Sequence, residues 1–172
     1  MAVTYSLISS VTVGSGGAAN IDFTSIPATY TDLLLKMSLR SSGSGNVGQR
    51  IGIRFNGAST DANFSTRLFY GDGSITGSFT STTGFTAWMP DGAVTSNIFS
   101  NVEVYIPNYT GSNNKTFSTD GVMENNATTS YMGLFAGLWS NTSAINAIKI
   151  FEVSSNNLVQ YSTAYLYGIS NA

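Results

Sequence analysis

Cysteine and histidine are both missing from the 172 residues. Without cysteine there is no disulfide, no thiolate metal site and no thiol nucleophile. Without histidine the commonest general base and the commonest metal ligand are gone, and with them every Ser-His or Cys-His nucleophile arrangement. Charge is scarce as well: 9% of the residues are charged, against about 25% in an average soluble domain. Four arginines and three lysines stand among nine acids, for a net charge of -2. That balance does not make the basic face needed to displace counterions from duplex nucleic acid, and it favours neither a membrane surface nor an acidic-surface role. No apolar run approaches the length of a membrane-spanning helix. Met1-Ala2-Val3-Thr4-Tyr5 lacks the basic and apolar regions of a signal peptide, so synthesis in a cytoplasm is expected.

What is present is apolar and patterned. Hydrophobic residues make up 42% of the chain and aromatics 12%, which excludes disorder and lets one domain over 1–172 bury a core without staples. The polar face is built from Ser, Thr, Asn and Gly. The dominant period is two. In 32–40, Leu33, Leu35, Met37 and Leu39 share one face, and Leu34, Lys36, Ser38 and Arg40 the other. In 49–56, Ile51, Ile53 and Phe55 alternate with Arg50 and Arg54. Around the Gly-rich link between them, these two runs read as neighbouring antiparallel strands. The run 97–107 alternates up to Pro107, which cannot donate to a ladder. The run 131–139 is apolar on both faces and is expected to be central and covered on both sides. Runs 144–153 and 158–169 read as a hairpin around Ser154-Ser155-Asn156-Asn157. Runs 3–13 and 20–26 flank Gly14-Ser15-Gly16-Gly17, and 71–84 reads as a surface loop. These features predict an all-β, antiparallel β-sandwich of jelly-roll type with roughly eight to ten strands.

Catalytic chemistry finds little to stand on. A glycosidase needs two carboxylates across one groove. Asp22, Asp32, Asp61, Asp72, Asp91 and Asp120 mostly sit beside Gly, Asn or Ser, as turn residues do, and Glu103 and Glu152 fall on strand faces read as outward. No Asp-X-Asp calcium loop occurs. The Gly14–Gly17 run is followed by a strand pattern, so it lacks the helix N-terminus a phosphate cradle requires. No catalytic residue, metal ligand or cofactor is assigned. Aromatic rings carry the remaining possibility. Trp139 is expected in the core. Trp88 and Tyr109 lie near turns and are the candidates for exposed contact or for stacking on a glycan, with packing or subunit contact the favoured reading.

Three segments carry a resemblance: 22–35, with Asp22-Phe23-Thr24-Ser25-Ile26-Pro27 and Tyr30-Thr31-Asp32; Ile53-Arg54-Phe55-Asn56-Gly57; and Ala164-Tyr165-Leu166-Tyr167-Gly168-Ile169. With Ile106-Pro107-Asn108-Tyr109 and Lys115-Thr116, the chain resembles phage virion proteins, frequent in phages of cyanobacteria, whose jelly-roll domains occur in capsid cement or decoration proteins and in tail fibres. The resemblance implies a virion setting and no catalytic residues. It makes a capsid decoration protein, bound to the major capsid protein, the first expectation. A tail-fibre protein recognising host glycan is the alternative. Self-association as a homotrimer is expected through apolar residues that alternate away from the core: Leu34, Phe99, Tyr105, Phe151, Tyr165 and Tyr167.

Overall fold

The structure is a computed structural model and describes residues 4–45 and 48–170. The described residues contain no helix and twelve strands: β1 (Thr4–Thr12), β2 (Asn20–Phe23), β3 (Asp32–Ser38), β4 (Gly48–Phe55), β5 (Phe64–Gly71), β6 (Thr76–Ser81), β7 (Phe85–Pro90), β8 (Asn101–Ile106), β9 (Lys115–Glu124), β10 (Ser130–Trp139), β11 (Ile148–Glu152) and β12 (Thr163–Ser170). All pairs are antiparallel. One sheet has the order β1-β12-β3-β8-β9-β10-β5-β6 and the other β2-β11-β4-β7.

Eight of these strands make a jelly roll. Quartet β1-β12-β3-β8 faces quartet β2-β11-β4-β7, and the chain passes from one to the other at every step except β4 to β7, which pair within one sheet, as in the double Greek key. Two hairpins are inserted. β5–β6 leaves between β4 and β7, and β9–β10 leaves between β8 and β11. They meet through the β10–β5 ladder, from Met132 opposite Gly71 to Trp139 opposite Phe64. The result is a four-stranded wing, β9-β10-β5-β6, that prolongs the first sheet beyond β8.

The alternation read in the sequence sorts the core. Leu33, Leu35, Met37, Ile51, Ile53, Phe55, Val102, Val104 and Ile106 point between the sheets and are buried, as is Trp139. The partner choices differ from the expectation. β3 pairs with β12 and β8, and β4 with β11 and β7, so runs 32–40 and 49–56 lie in opposite sheets. β11 and β12 are likewise in opposite sheets, and residues 154–157 cross between layers, with Ser155 at φ 67°. The count is twelve because 71–84 holds β6, because β7 follows it at Phe85–Pro90, and because β9 has faint apolar alternation. β10 is central as expected, but only its inner face is covered.

The resemblance segments meet at one end of the sandwich. The Tyr109 hydroxyl donates to the Pro27 carbonyl. Asp32 accepts from the Asn108 amide at 2.8 Å. Asn56, at φ 52°, accepts from the Asn146 amide at 2.8 Å and donates to the Ala144 carbonyl at 2.7 Å. The Tyr30 ring lies where a side chain on Gly168 would be. These motifs are therefore locks between loops.

Gly137 has the same relation to a ring. A Cβ there would lie 2.0 Å from the Phe117 ring, in an interior already close-packed. Gly137→Ala is expected to cost at least about 1–3 kcal/mol by overpacking. Gly16→Ala, with nothing within 4 Å of the added carbon, is expected to be near neutral. Urea unfolding of the two variants checks the contrast.

Candidate functional site: the outer face of the eight-stranded sheet

Ladder register sets the rows of this face. One row runs Leu7, Tyr167, Leu34, Tyr105, Ser118, Ala136, Arg67 and Thr80. The next runs Ser10, Tyr165, Lys36, Glu103, Asp120, Leu134, Phe69 and Ser78. Both rows cross all eight strands. In the first half, β1 to β8, the apolar residues are mostly tyrosines: Tyr5, Tyr105, Tyr165 and Tyr167, with Leu7 and Leu34. In the wing they are aliphatic and Phe: Phe69 is 72% exposed, Met132 62% and Leu134 61%, with Val122 beside them and Ile75 at the β5–β6 turn. Lys36 and Glu103 pair at 2.6 Å across β3 and β8 of the first half. That pair is well exposed, so it contributes little to stability.

Four grooves mark the face. One, of about 360 Å³, is lined by Tyr5, Leu34, Lys36, Glu103 and Tyr167. Two flank Phe69, of about 480 and 600 Å³. A fourth, of about 560 Å³, runs past Ile75, Val122, Glu124 and Met132. None of the four holds more than one carboxylate, whereas glycoside cleavage needs two at about 5 to 9.5 Å. The described residues also hold no group of three or more acids able to ligate a metal, and Asp61, Asp72 and Asp91 do not converge. Among the described residues no helix is long and apolar enough to cross a membrane.

Four of the six expected contact residues, Leu34, Tyr105, Tyr165 and Tyr167, fall on this one face. Leu34 is nevertheless buried on it, flanked in register by Tyr105 and Tyr167. The Tyr105 hydroxyl donates to Asp32 at 2.8 Å; burial, then that bond, push its pKa up to about 12. Phe99 and Phe151 lie off this face. Phe99 precedes β8 in the 91–100 loop and is half-buried. Phe151 lies on the other sheet, its ring beneath the Arg54 guanidinium at 4.5 Å and over Gly52. That stacking holds it as a local packing element.

Both glycan candidates are corrected too. Tyr109 is fully buried, because its hydroxyl has a carbonyl partner inside the fold. Trp88 is half-buried in β7, with ring centroids of Phe85, Phe135, Tyr131 and Tyr70 at 5.1, 5.4, 5.5 and 5.6 Å. Its indole closes the sandwich beneath the wing. Glu152, expected outward, is buried, and one of its oxygens accepts from the Asn156 amide at 2.7 Å. Arg40, expected outward, is buried and donates to the carbonyls of Thr95, Val94 and Ile98 at 2.8, 3.0 and 3.2 Å. It ties down the β7–β8 loop, and burial lowers its pKa.

The wing surface was missed from the sequence because Met132 and Leu134 were read as covered. The alternation in 64–71, with Ser65, Arg67 and Phe69 on one side, was the available signal. No protein-family model, no curated protein and no solved structure matches this chain.

Proposed function

We propose that this chain is a phage virion structural protein that decorates the capsid shell and stabilises it. One observation carries the reading: the outer face of the eight-stranded sheet carries exposed apolar side chains in both halves, Tyr5, Leu7, Tyr105 and Tyr165 in one and Phe69, Val122, Met132 and Leu134 in the other. Eight strands at about 4.8 Å spacing and about 20 Å long give roughly 750 Å². A standard interface buries about 800 Å² per partner, so the face as a whole has the extent of one side of such an interface. Jelly rolls are frequent in capsids, and the sequence resemblance points the same way. The tyrosine-rich half suits self-association, which we propose to be trimeric. The glycan-binding alternative loses its two candidate rings to packing.

Counting the protein in purified virions of the phage that encodes it, with gold-labelled antibody to place it, tests the reading. Many copies over the shell are expected. Absence from the particle, or a handful of copies at the tail, would overturn it.

A further inference from the structure

We propose that the outer face of the wing docks a protein segment presenting apolar side chains next to a lysine or arginine. This rests on the decoration reading, which makes the shell the source of that segment. The wing is an addition to a sandwich that already closes: both of its hairpins interrupt the jelly-roll order, and its inner face is occupied by β7 and the Trp88 cluster. Its outer face has no cover. Leu134 stands opposite Phe69 and Met132 opposite Val122 in register, so these side chains form one continuous surface with grooves on both sides of Phe69.

Charge identifies the occupant. Seven of the nine acids have partners inside the fold. Asp22 accepts from Asn20 and Asp32 from Tyr105 and Asn108. Asp61 pairs with Arg54 and Asp72 caps its own turn. Asp91 takes Gln49 and the Ala93 amide, Glu103 takes Lys36 and Glu152 takes Asn156. Asp120 and Glu124 are the remaining two, and no hydrogen bond or ion pair reaches them among the described residues. Asp120 acts on Lys36 only through its field. Both alternate outward on β9 on either side of Val122, at the border of the apolar surface. Covering that surface with a purely apolar partner would strip water from two unpaired carboxylates, which is costly. A partner that brings cations to them avoids the penalty and gains charge-assisted bonds. A second copy of this chain is a poor match among the described residues: Lys115 and Arg40 are buried, Lys36 and Arg54 pair with Glu103 and Asp61, Arg67 donates to Thr80 and Arg50 lies over Phe79 and Phe85, which leaves Lys149.

Pelleting of the labelled protein with shells purified from particles lacking it provides the test. The wild-type protein is expected to bind saturably. The double variant Phe69→Ser/Leu134→Ser is expected to lose at least about tenfold in affinity, as central apolar contacts do. Asp120→Asn/Glu124→Gln is expected to weaken binding several-fold at low salt and to flatten its salt dependence. Tyr161→Ser, at an exposed residue of the β11–β12 connection, is expected to bind shells as wild type does. All four side-chain sites of the wing variants are exposed, so their melting curves should match wild type. Wild-type binding with unchanged affinity in the wing variants would overturn this inference and leave the decoration reading standing. No wild-type binding would remove both. A fall in sedimenting mass of the wing variants would make the occupant a second copy, and an equal loss in Tyr161→Ser would move the docking surface; either result overturns the proposal.

Discussion

Phe55→Ala is expected to destabilise the protein by roughly 3–5 kcal/mol, the range for removing a buried aromatic ring. Phe55 ends β4 and is fully buried. Its ring centroid lies 5.4 Å from Trp139, 5.6 Å from Phe64 and 6.0 Å from Phe117. Those three rings belong to β10, β5 and β9, so Phe55 is the jelly-roll residue that grips the root of both inserted hairpins. Truncation removes its apolar area and leaves a cavity that three large rings, each held by its own ladder, cannot collapse to fill. A loss of that size is a large part of the about 5–15 kcal/mol typical of a domain. Urea unfolding followed by tryptophan fluorescence checks it, since Trp139 sits in the cluster. The midpoint should fall with little change in slope. A loss below about 1 kcal/mol would mean that the site repacks. Phe55→Leu should cost clearly less, because more of the volume is kept.

Lys115→Met is expected to cost about 3 kcal/mol, since hydrogen bonds to a charged group contribute roughly 1.5–3 kcal/mol each and solvent recovers part of the loss. Lys115 opens β9 with its side chain inward and buried. Its ammonium donates to the carbonyls of Asn113, Gly111 and Thr142 at 2.5, 2.6 and 3.2 Å. Three donors meet three acceptors, which satisfies the group without a carboxylate. Burial still lowers its pKa. The contacts tie the β8–β9 turn to the β10–β11 connection, so methionine would leave three carbonyls without their donor and two loops unlinked. Lys115→Arg should not rescue the loss, because a planar fork does not fit three convergent acceptors. Thermal unfolding of both variants tests this; a methionine variant as stable as wild type would show that water replaces the ammonium freely.

Much of this was legible because a β-strand has a period of two. Leu33, Leu35 and Met37, or Ile51, Ile53 and Phe55, cannot all be buried in any other regular form, so strand identity and core face follow from local order. Strand partners do not. β3 and β4 are joined by a short link and yet lie in opposite sheets, since a flexible Gly-Ser segment serves a crossing between layers as readily as a hairpin. β6 carries one large apolar residue, Phe79, and β9 places lysine, threonine and glycine on its inner face, so neither shows the alternation that marks β4.

The candidate site was half legible for the same reason. Leu34, Tyr105, Tyr165 and Tyr167 alternate away from the core residues of their own strands, and the ladders bring them to one face. Met132 and Leu134 look, in sequence, like a second buried face; only the tertiary structure shows that no element lies over them. Turn position did not decide exposure either: Tyr109 beside Pro107 is buried because Pro27, far away in the chain, offers its hydroxyl a carbonyl. The sequence by itself determined an all-β sandwich with no cysteine or histidine chemistry, because composition and a two-residue period are local properties. The partner of each strand, the cover over each face and the isolation of Asp120 and Glu124 were decided by tertiary structure, because they depend on which distant segments meet.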